Sequence, residues 1–154
     1  MENFKVLLVD DEKEFLKSLS ERLEIRKLKP NMAFNGEEAI QQVSDEVPDV
    51  MVLDLKMPGI DGMEVLRRIK KHYPQVQVVI LTGHGTDKDE AEAKKLGAFA
   101  YLQKPVDLDQ LMKTLKKAYA YKNKIEKSMT AATFAEAGDF ATAQNIMKDA
   151  DEKK

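Results

Sequence analysis

The stretch Val50-Met51-Val52-Leu53-Asp54-Leu55-Lys56-Met57-Pro58-Gly59-Ile60-Asp61-Gly62 opens on four apolar residues, bounded upstream by Val47-Pro48-Asp49 and downstream by Pro58-Gly59. A run that short and wholly apolar fits a strand covered on both faces, as in a parallel sheet. Asp54 closes it. An ionised aspartate taken from water is costly unless a cation or several donors meet it. An acid at a strand's end therefore points to a crevice at the carboxyl edge of a sheet, where open α/β sheets hold ligands.

Three other runs end in the same telling way. Phe4-Lys5-Val6-Leu7-Leu8-Val9 runs into Asp10-Asp11-Glu12, so parallel neighbouring strands would bring Asp10, Asp11 and Asp54 together. Three carboxylates repel one another, and a hard divalent cation such as Mg²⁺, which prefers oxygen ligands, relieves the repulsion. The plainer alternative is that Asp10 or Asp11 only caps the helix that follows. Val76-Gln77-Val78-Val79-Ile80-Leu81 ends in Thr82-Gly83, and Phe99-Ala100-Tyr101-Leu102-Gln103 ends in Lys104-Pro105. Acids for a metal, a hydroxyl for an oxyanion and an ammonium to neutralise it make a phosphoryl-binding site, with Asp54 as nucleophile.

On these elements the chain resembles the receiver domain of two-component response regulators. The resemblance rests on Asp10-Asp11, Asp54, Met57-Pro58-Gly59-Ile60-Asp61-Gly62, Thr82 and Lys104-Pro105, in that order, and covers about residues 3 to 120. It implies an α/β fold: a doubly wound five-stranded parallel sheet in the flavodoxin-like order 2-1-3-4-5, flanked by five helices. It implies a phosphoacceptor switch rather than a turnover enzyme, with Asp54 taking a phosphoryl group from a sensor histidine kinase or a histidine phosphotransfer protein. It further implies that Mg²⁺ is held by Asp10, Asp11, Asp54 and the backbone carbonyl of Lys56. Lys104 and Thr82 then bind phosphoryl oxygens, and Thr82 and Tyr101 act as the switch. Gly83 and His84 form the pocket rim.

The whole chain is consistent with that. Its 154 residues suit one domain with a small appendage. A hydrophobic share of 43%, a charged share of 34% and a net charge of −2 describe an ordinary globule with no general pull toward nucleic acid or anionic membrane. The absence of cysteine excludes disulfides and thiolate chemistry and agrees with a cytoplasmic setting. No apolar run approaches the roughly 18 residues of a membrane span, and Met1-Glu2-Asn3 opens no signal peptide.

Strand and helix alternate along the chain. Residues 12–27 place Phe15, Leu16, Leu19 and Leu23 on one face at helical spacing. Residues 29–34 read as an edge strand because of Pro30, Asn35-Gly36 as a turn, and 37–44 as a helix burying Ala39, Ile40 and Val43. Asp61 caps a helix over 62–72. Asp87 is the expected N-cap of a helix over 88–96 that is poor in large apolar residues and hence cheap to displace, with Gly97 ending it. His84 is either a tuning residue of the pocket or a solvated loop histidine. Tyr101 is either the switch aromatic or an ordinary half-buried strand tyrosine.

Past residue 120 the chain departs from a minimal receiver domain. Leu111, Leu115, Ala118, Ile125, Met129 and Ala132 continue a helical pattern. Gly138-Asp139 then breaks it before a second helix over 140–150, so that 1–120 form the receiver domain and 121–154 a helical hairpin. The turn at 135–140 is similar to that of a tetratricopeptide repeat, which normally needs about three copies. The lysines of 113–127 read as a solvated face rather than a nucleic-acid surface. The output expected is control of an unknown downstream protein, or self-association through 88–120 or the C-terminal helices. Two alternatives stand beside it: the receiver portion of a longer transcriptional or enzymatic regulator, and a phosphatase of the haloacid dehalogenase class. The last needs a second acid two residues after its nucleophile, whereas the first strand here ends in adjacent aspartates.

Overall fold

The computed structural model describes residues 3–137, with side chains described to residue 128. Five parallel strands, β1 (Val6–Val9), β2 (Asn31–Ala33), β3 (Val50–Leu53), β4 (Gln77–Thr82) and β5 (Ala100–Gln103), lie in the order β2-β1-β3-β4-β5. Between and after them run α1 (Lys13–Ile25), α2 (Gly36–Asp45), α3 (Gly62–His72), α4 (Asp87–Lys95) and α5 (Leu108–Ala137). The expected α/β fold and strand order are those observed.

Every residue of β1, β3 and β4 is buried, which is why their sequences do not alternate. The strand pleat sends neighbours to opposite faces. Leu7, Val9, Met51, Leu53, Val78 and Ile80 pack with Ala39, Val43, Val65, Leu66 and Ile69 of α2 and α3. Val6, Leu8, Val50, Val52, Val79 and Leu81 pack with Leu16, Leu19 and Leu23 of α1 and Leu111 and Leu115 of α5. The three-residue β2 is an edge strand, as Pro30 suggests.

Several boundaries differ from the sequence reading. β3 stops at Leu53, so Asp54 is the first residue beyond the ladder, while β4 takes in Thr82. Asn35 is the N-cap of α2, its side chain accepting from the Glu38 N–H at 2.8 Å. The cap of α4 is Thr86 and not Asp87: Thr86 Oγ1 accepts from Asp89 N–H, Asp89 Oδ2 accepts from Thr86 N–H, both at 3.1 Å, and Asp87 becomes the first helical residue. This reciprocal capping box satisfies two otherwise orphaned donors. Only Ala93 of α4 is fully buried, in keeping with a helix held loosely.

Helix α5 runs without a break past residue 120 to Ala137. Its middle is fastened to the base of the sheet. The Tyr119 ring stacks on Phe4 at 4.6 Å, and Lys122 pairs with Asp49 and with Glu126 at 3.0 Å each. Asp49 Oδ2 also accepts from Lys5 N–H at 2.8 Å. The second tail helix expected over 140–150, with its hairpin turn, lies outside the described residues. Among those described, no helix is long and apolar enough to cross a membrane.

Candidate functional site

Ladder hydrogen bonds carried one step past the strand ends set the backbone of the site. Asp10 N–H donates to Ala33 O at 3.2 Å, Asp54 N–H to Val9 O at 3.0 Å, and Lys104 N–H to Thr82 O at 3.0 Å. Because β1 pairs with β3, Val9 opposite Leu53, the acids that follow both strands emerge side by side. Carboxylate oxygens of Asp10, Asp11 and Asp54 all lie within 4.8 Å of one another. Asp10 and Asp54 are 2% and 6% exposed, whereas Asp11 faces solvent. The three acids expected together are therefore brought together. Three hard oxygen donors at one point, two of them buried, suit a divalent cation of the Mg²⁺ type and no soft metal.

The side chain of Lys104 supplies the countercharge. Its Nζ lies 2.6 Å from Asp10 Oδ2 and 2.8 Å from Glu12 Oε1, and 4.3 Å from the centroid of the Phe15 ring. Burial pushes the Asp10 carboxyl above its ordinary value, outweighing the Lys104 ammonium and the Glu12 N–H that its oxygens accept from; the nearby Asp54 charge adds to the rise. Burial works against the Lys104 charge, yet hydrogen bonds to Asp10 and Glu12 carry its pKa above the ordinary value. The ammonium is thus retained, and the dry carboxylate bears the cost.

Thr82 is completely buried at the end of β4, its Oγ1 accepting a long 3.5 Å bond from His84 N–H. Gly83, His84 and Lys56 line the same cavity as Asp11, Asp54 and Lys104. Lys56 reaches both ways: its N–H approaches Asp54 Oδ1 at 3.4 Å, and its Nζ lies 3.5 Å from Asp89 Oδ2 on α4. Tyr101 turns its ring inward, and its buried hydroxyl has no hydrogen-bond partner among the described residues. The space it fills exists because residue 85 is glycine: a Cβ there would land on the Tyr101 hydroxyl and within 2.9 Å of the Thr82 methyl. Burial, and then Asp89, Glu90 and Asp87 of α4, push the Tyr101 phenol up.

The sequence reading gave Glu12 and Lys70 no role and took Phe15 only as an apolar-face residue of the first helix. Glu12 and Phe15 are three apart at the start of α1 and share a helix face, a spacing that could have placed both at the mouth of the acid pocket. Lys70 lies at the opposite end of the sheet, donating to Pro74 O at 2.8 Å and Val76 O at 2.9 Å, and burial draws its pKa down to about 8.

The family model described as the response regulator receiver domain matches residues 6–116. The chain is similar to sporulation initiation phosphotransferase F of Bacillus subtilis, 37% identical over 117 residues, which are 76% of this chain and 94% of that protein. It is also similar to an NtrX-like response regulator of Rickettsia typhi, 36% identical over 120 residues, 77% of this chain and 25% of that protein. A receiver domain from Clostridium thermocellum superposes with a TM-score of 0.75 at 36% identity, covering 79% of this chain and 98% of that one. The chain thus spans about a quarter of the length of the NtrX-like relatives.

Proposed function

Because the chain belongs to the receiver domains of two-component response regulators, we propose that Asp54 is its phosphoacceptor and that residues 1–120 are the switch, with 121–154 an appended extension. The observation that carries this is the convergence of Asp10, Asp11 and Asp54 within 4.8 Å beside the Lys104 ammonium. Phosphoryl transfer demands little covalent work from a protein beyond positioning and charge stabilisation. A carboxylate oxygen of Asp54 forms the new P–O bond as the P–N bond of a partner's phosphohistidine breaks. The imidazole leaves with the electron pair and takes a proton from water.

Asp10, Asp11, Asp54 and the Lys56 carbonyl are the groups to hold Mg²⁺, which supplies positive charge for the phosphoryl oxygens when bound. Lys104 takes a second phosphoryl oxygen and Thr82 Oγ1 a third, which draws Thr82 away from its weak bond to His84 N–H. Tyr101 packs against the Thr82 methyl, so α4, β5 and the start of α5 feel the rearrangement, and the 88–120 surface becomes the output. The donor is a sensor histidine kinase or a histidine phosphotransfer protein. The product is a signal and not a released small molecule, since the domain catalyses only its own phosphorylation and dephosphorylation; a cytoplasmic setting is the one in which a histidine kinase's phosphohistidine is presented.

The test is intact mass after incubation with acetyl phosphate, with and without Mg²⁺, for the wild type and Asp54→Ala. Uptake of one phosphoryl group that needs Mg²⁺ and is lost in Asp54→Ala supports the reading. Folded wild type that takes up nothing overturns it. A second reading is favoured by the unbroken α5 and by relatives of which the chain matches a quarter: the receiver portion of a longer regulator, with α5 as the connection to an output domain. Size-exclusion chromatography with light scattering separates the two. A change of assembly on phosphorylation supports self-association by this chain, and an unchanged assembly removes self-association as its output.

A further inference from the structure

Lys104 is held by more than the acid pocket requires. Its ammonium is gripped on one side by Asp10 Oδ2 at 2.6 Å and on another by Glu12 Oε1 at 2.8 Å, and it rides 4.3 Å above the Phe15 ring. Among the described ion pairs of Lys104, Asp10 and Glu12 are its partners and Asp54 is not. Both added contacts come from the entrance of α1, so they pull the lysine sideways, toward that helix. The Glu12 backbone is fixed there because its N–H donates to Asp10 Oδ1 at 2.9 Å. The Glu12 side chain is 61% exposed while that of Lys104 is only 15% exposed, so Glu12 reaches in from solvent across the pocket mouth.

We propose that Glu12, backed by the Phe15 ring, is a positioning residue that parks the Lys104 ammonium on α1 and thereby slows phosphoryl acceptance by the receiver site. The inference rests on the phosphoacceptor reading above. For Lys104 to meet a phosphoryl oxygen on Asp54 it must leave the Glu12 carboxylate and the face of Phe15, and both are attractive to an ammonium. A carboxylate–lysine pair whose Glu12 end lies in solvent is a weak restraint, which is what a retarding contact needs: strong enough to shift the rate, weak enough to be broken at each transfer.

Two measurements test this, one of which needs no phosphoryl group. In proton NMR, the ε-methylene signal of Lys104, assigned by its loss in Lys104→Arg, is expected upfield of the other lysines because of the Phe15 ring current. It should move toward them in Glu12→Gln and join them in Phe15→Leu. A Lys104 signal already among the other lysines in the wild type overturns the parking contact whatever the protein does with phosphate. The second is the rate of Mg²⁺-dependent phosphoryl uptake from acetyl phosphate by intact mass. Glu12→Gln should raise the rate about two- to five-fold, the range that an exposed ion pair can supply, and should have no effect in a Lys104→Ala background. An equal acceleration in both backgrounds means simple charge repulsion of the donor and overturns the proposal, as does an unchanged rate in Glu12→Gln. Absence of uptake in the wild type instead rejects the phosphoacceptor reading, leaving the resonance to decide whether Glu12 holds Lys104.

Discussion

Replacing Gly62 with alanine should disturb fold and site together. Gly62 opens α3 directly behind Asp54 and Leu55, with its N–H donating to Leu55 O at 3.0 Å. A Cβ on residue 62 would collide with the carbonyl oxygen of Asp54 and sit 2.5 Å from Leu55 Cα. Carbon atoms prefer separations of about 3.5–4.0 Å, so the backbone of residues 54 and 55 must retreat by about 1 Å. No flexible side chain can absorb that shift, since both obstacles are main chain. Overpacking costs about 1–3 kcal/mol, and a backbone obstacle places Gly62→Ala at the upper end, near 3 kcal/mol. With about 2–4 °C lost per kcal/mol in a chain of this size, the melting temperature should fall by about 6–12 °C. Gly83→Ala is the control: there the nearest atoms to an added Cβ are Lys104 side-chain carbons at 3.7 and 3.8 Å, ordinary contact. It should stay within about 0.5 kcal/mol of wild type. Urea unfolding followed by circular dichroism measures both. If Gly62→Ala matches Gly83→Ala in stability, the close approach of α3 to Asp54 is not a constraint and the reasoning fails.

Other consequences can be measured alongside. Lys70 has a folded pKa of about 8 against an ordinary 10.5, so between those values the unfolded chain binds more protons and stability should rise with pH relative to Lys70→Met; urea titrations from pH 7 to 11 should show the wild type gaining on Lys70→Met, and parallel curves would refute the buried charge. In Gly85→Ala the added methyl must expel the Tyr101 hydroxyl, so the Tyr101 phenol, raised by burial in the wild type, should titrate lower by carbon NMR of its ring; an unmoved titration would mean the inward ring does not depend on residue 85. Lys122→Met leaves Asp49 partly buried without its ammonium, with Lys5 N–H still donating to it. The loss should be about 1–3 kcal/mol in urea unfolding, less than for a fully buried pair, and no loss would mean that α5 is not fastened there.

Asp10, Asp11, Asp54, Thr82 and Lys104 could be read from the chain because each stands at or just past the end of an apolar run, and strand ends in a parallel sheet meet at one edge. That signal is one-dimensional, so it survives without coordinates. The α4 cap was less legible for a local reason. Thr86 with Asp89 and Asp87 with Glu90 both offer a cap followed three residues later by an acid, and only the backbone path chooses Thr86. The roles of Glu12 and Phe15 depend on which way the Lys104 side chain leans, which no periodicity encodes. Phe15 sits where a core residue of α1 is expected, and it does pack at the edge of that core while also lying under the ammonium. The space for the Tyr101 hydroxyl is likewise set where the loop carrying Gly85 meets the strand carrying Tyr101, which no local pattern encodes. Lys70 is one of three basic residues closing α3, so nothing local distinguishes it, and its burial follows from the return of the chain through Pro74 and Val76.

The central claim is that one carboxylate of the three, Asp54, becomes the acyl phosphate. Borohydride reduces an aspartyl phosphate to homoserine, so treating the phosphorylated protein and mapping its peptides by mass spectrometry identifies the residue directly. Homoserine at position 54, present only after phosphorylation with Mg²⁺, is the predicted result. Homoserine at position 10 or 11, or none despite phosphoryl uptake, would contradict it.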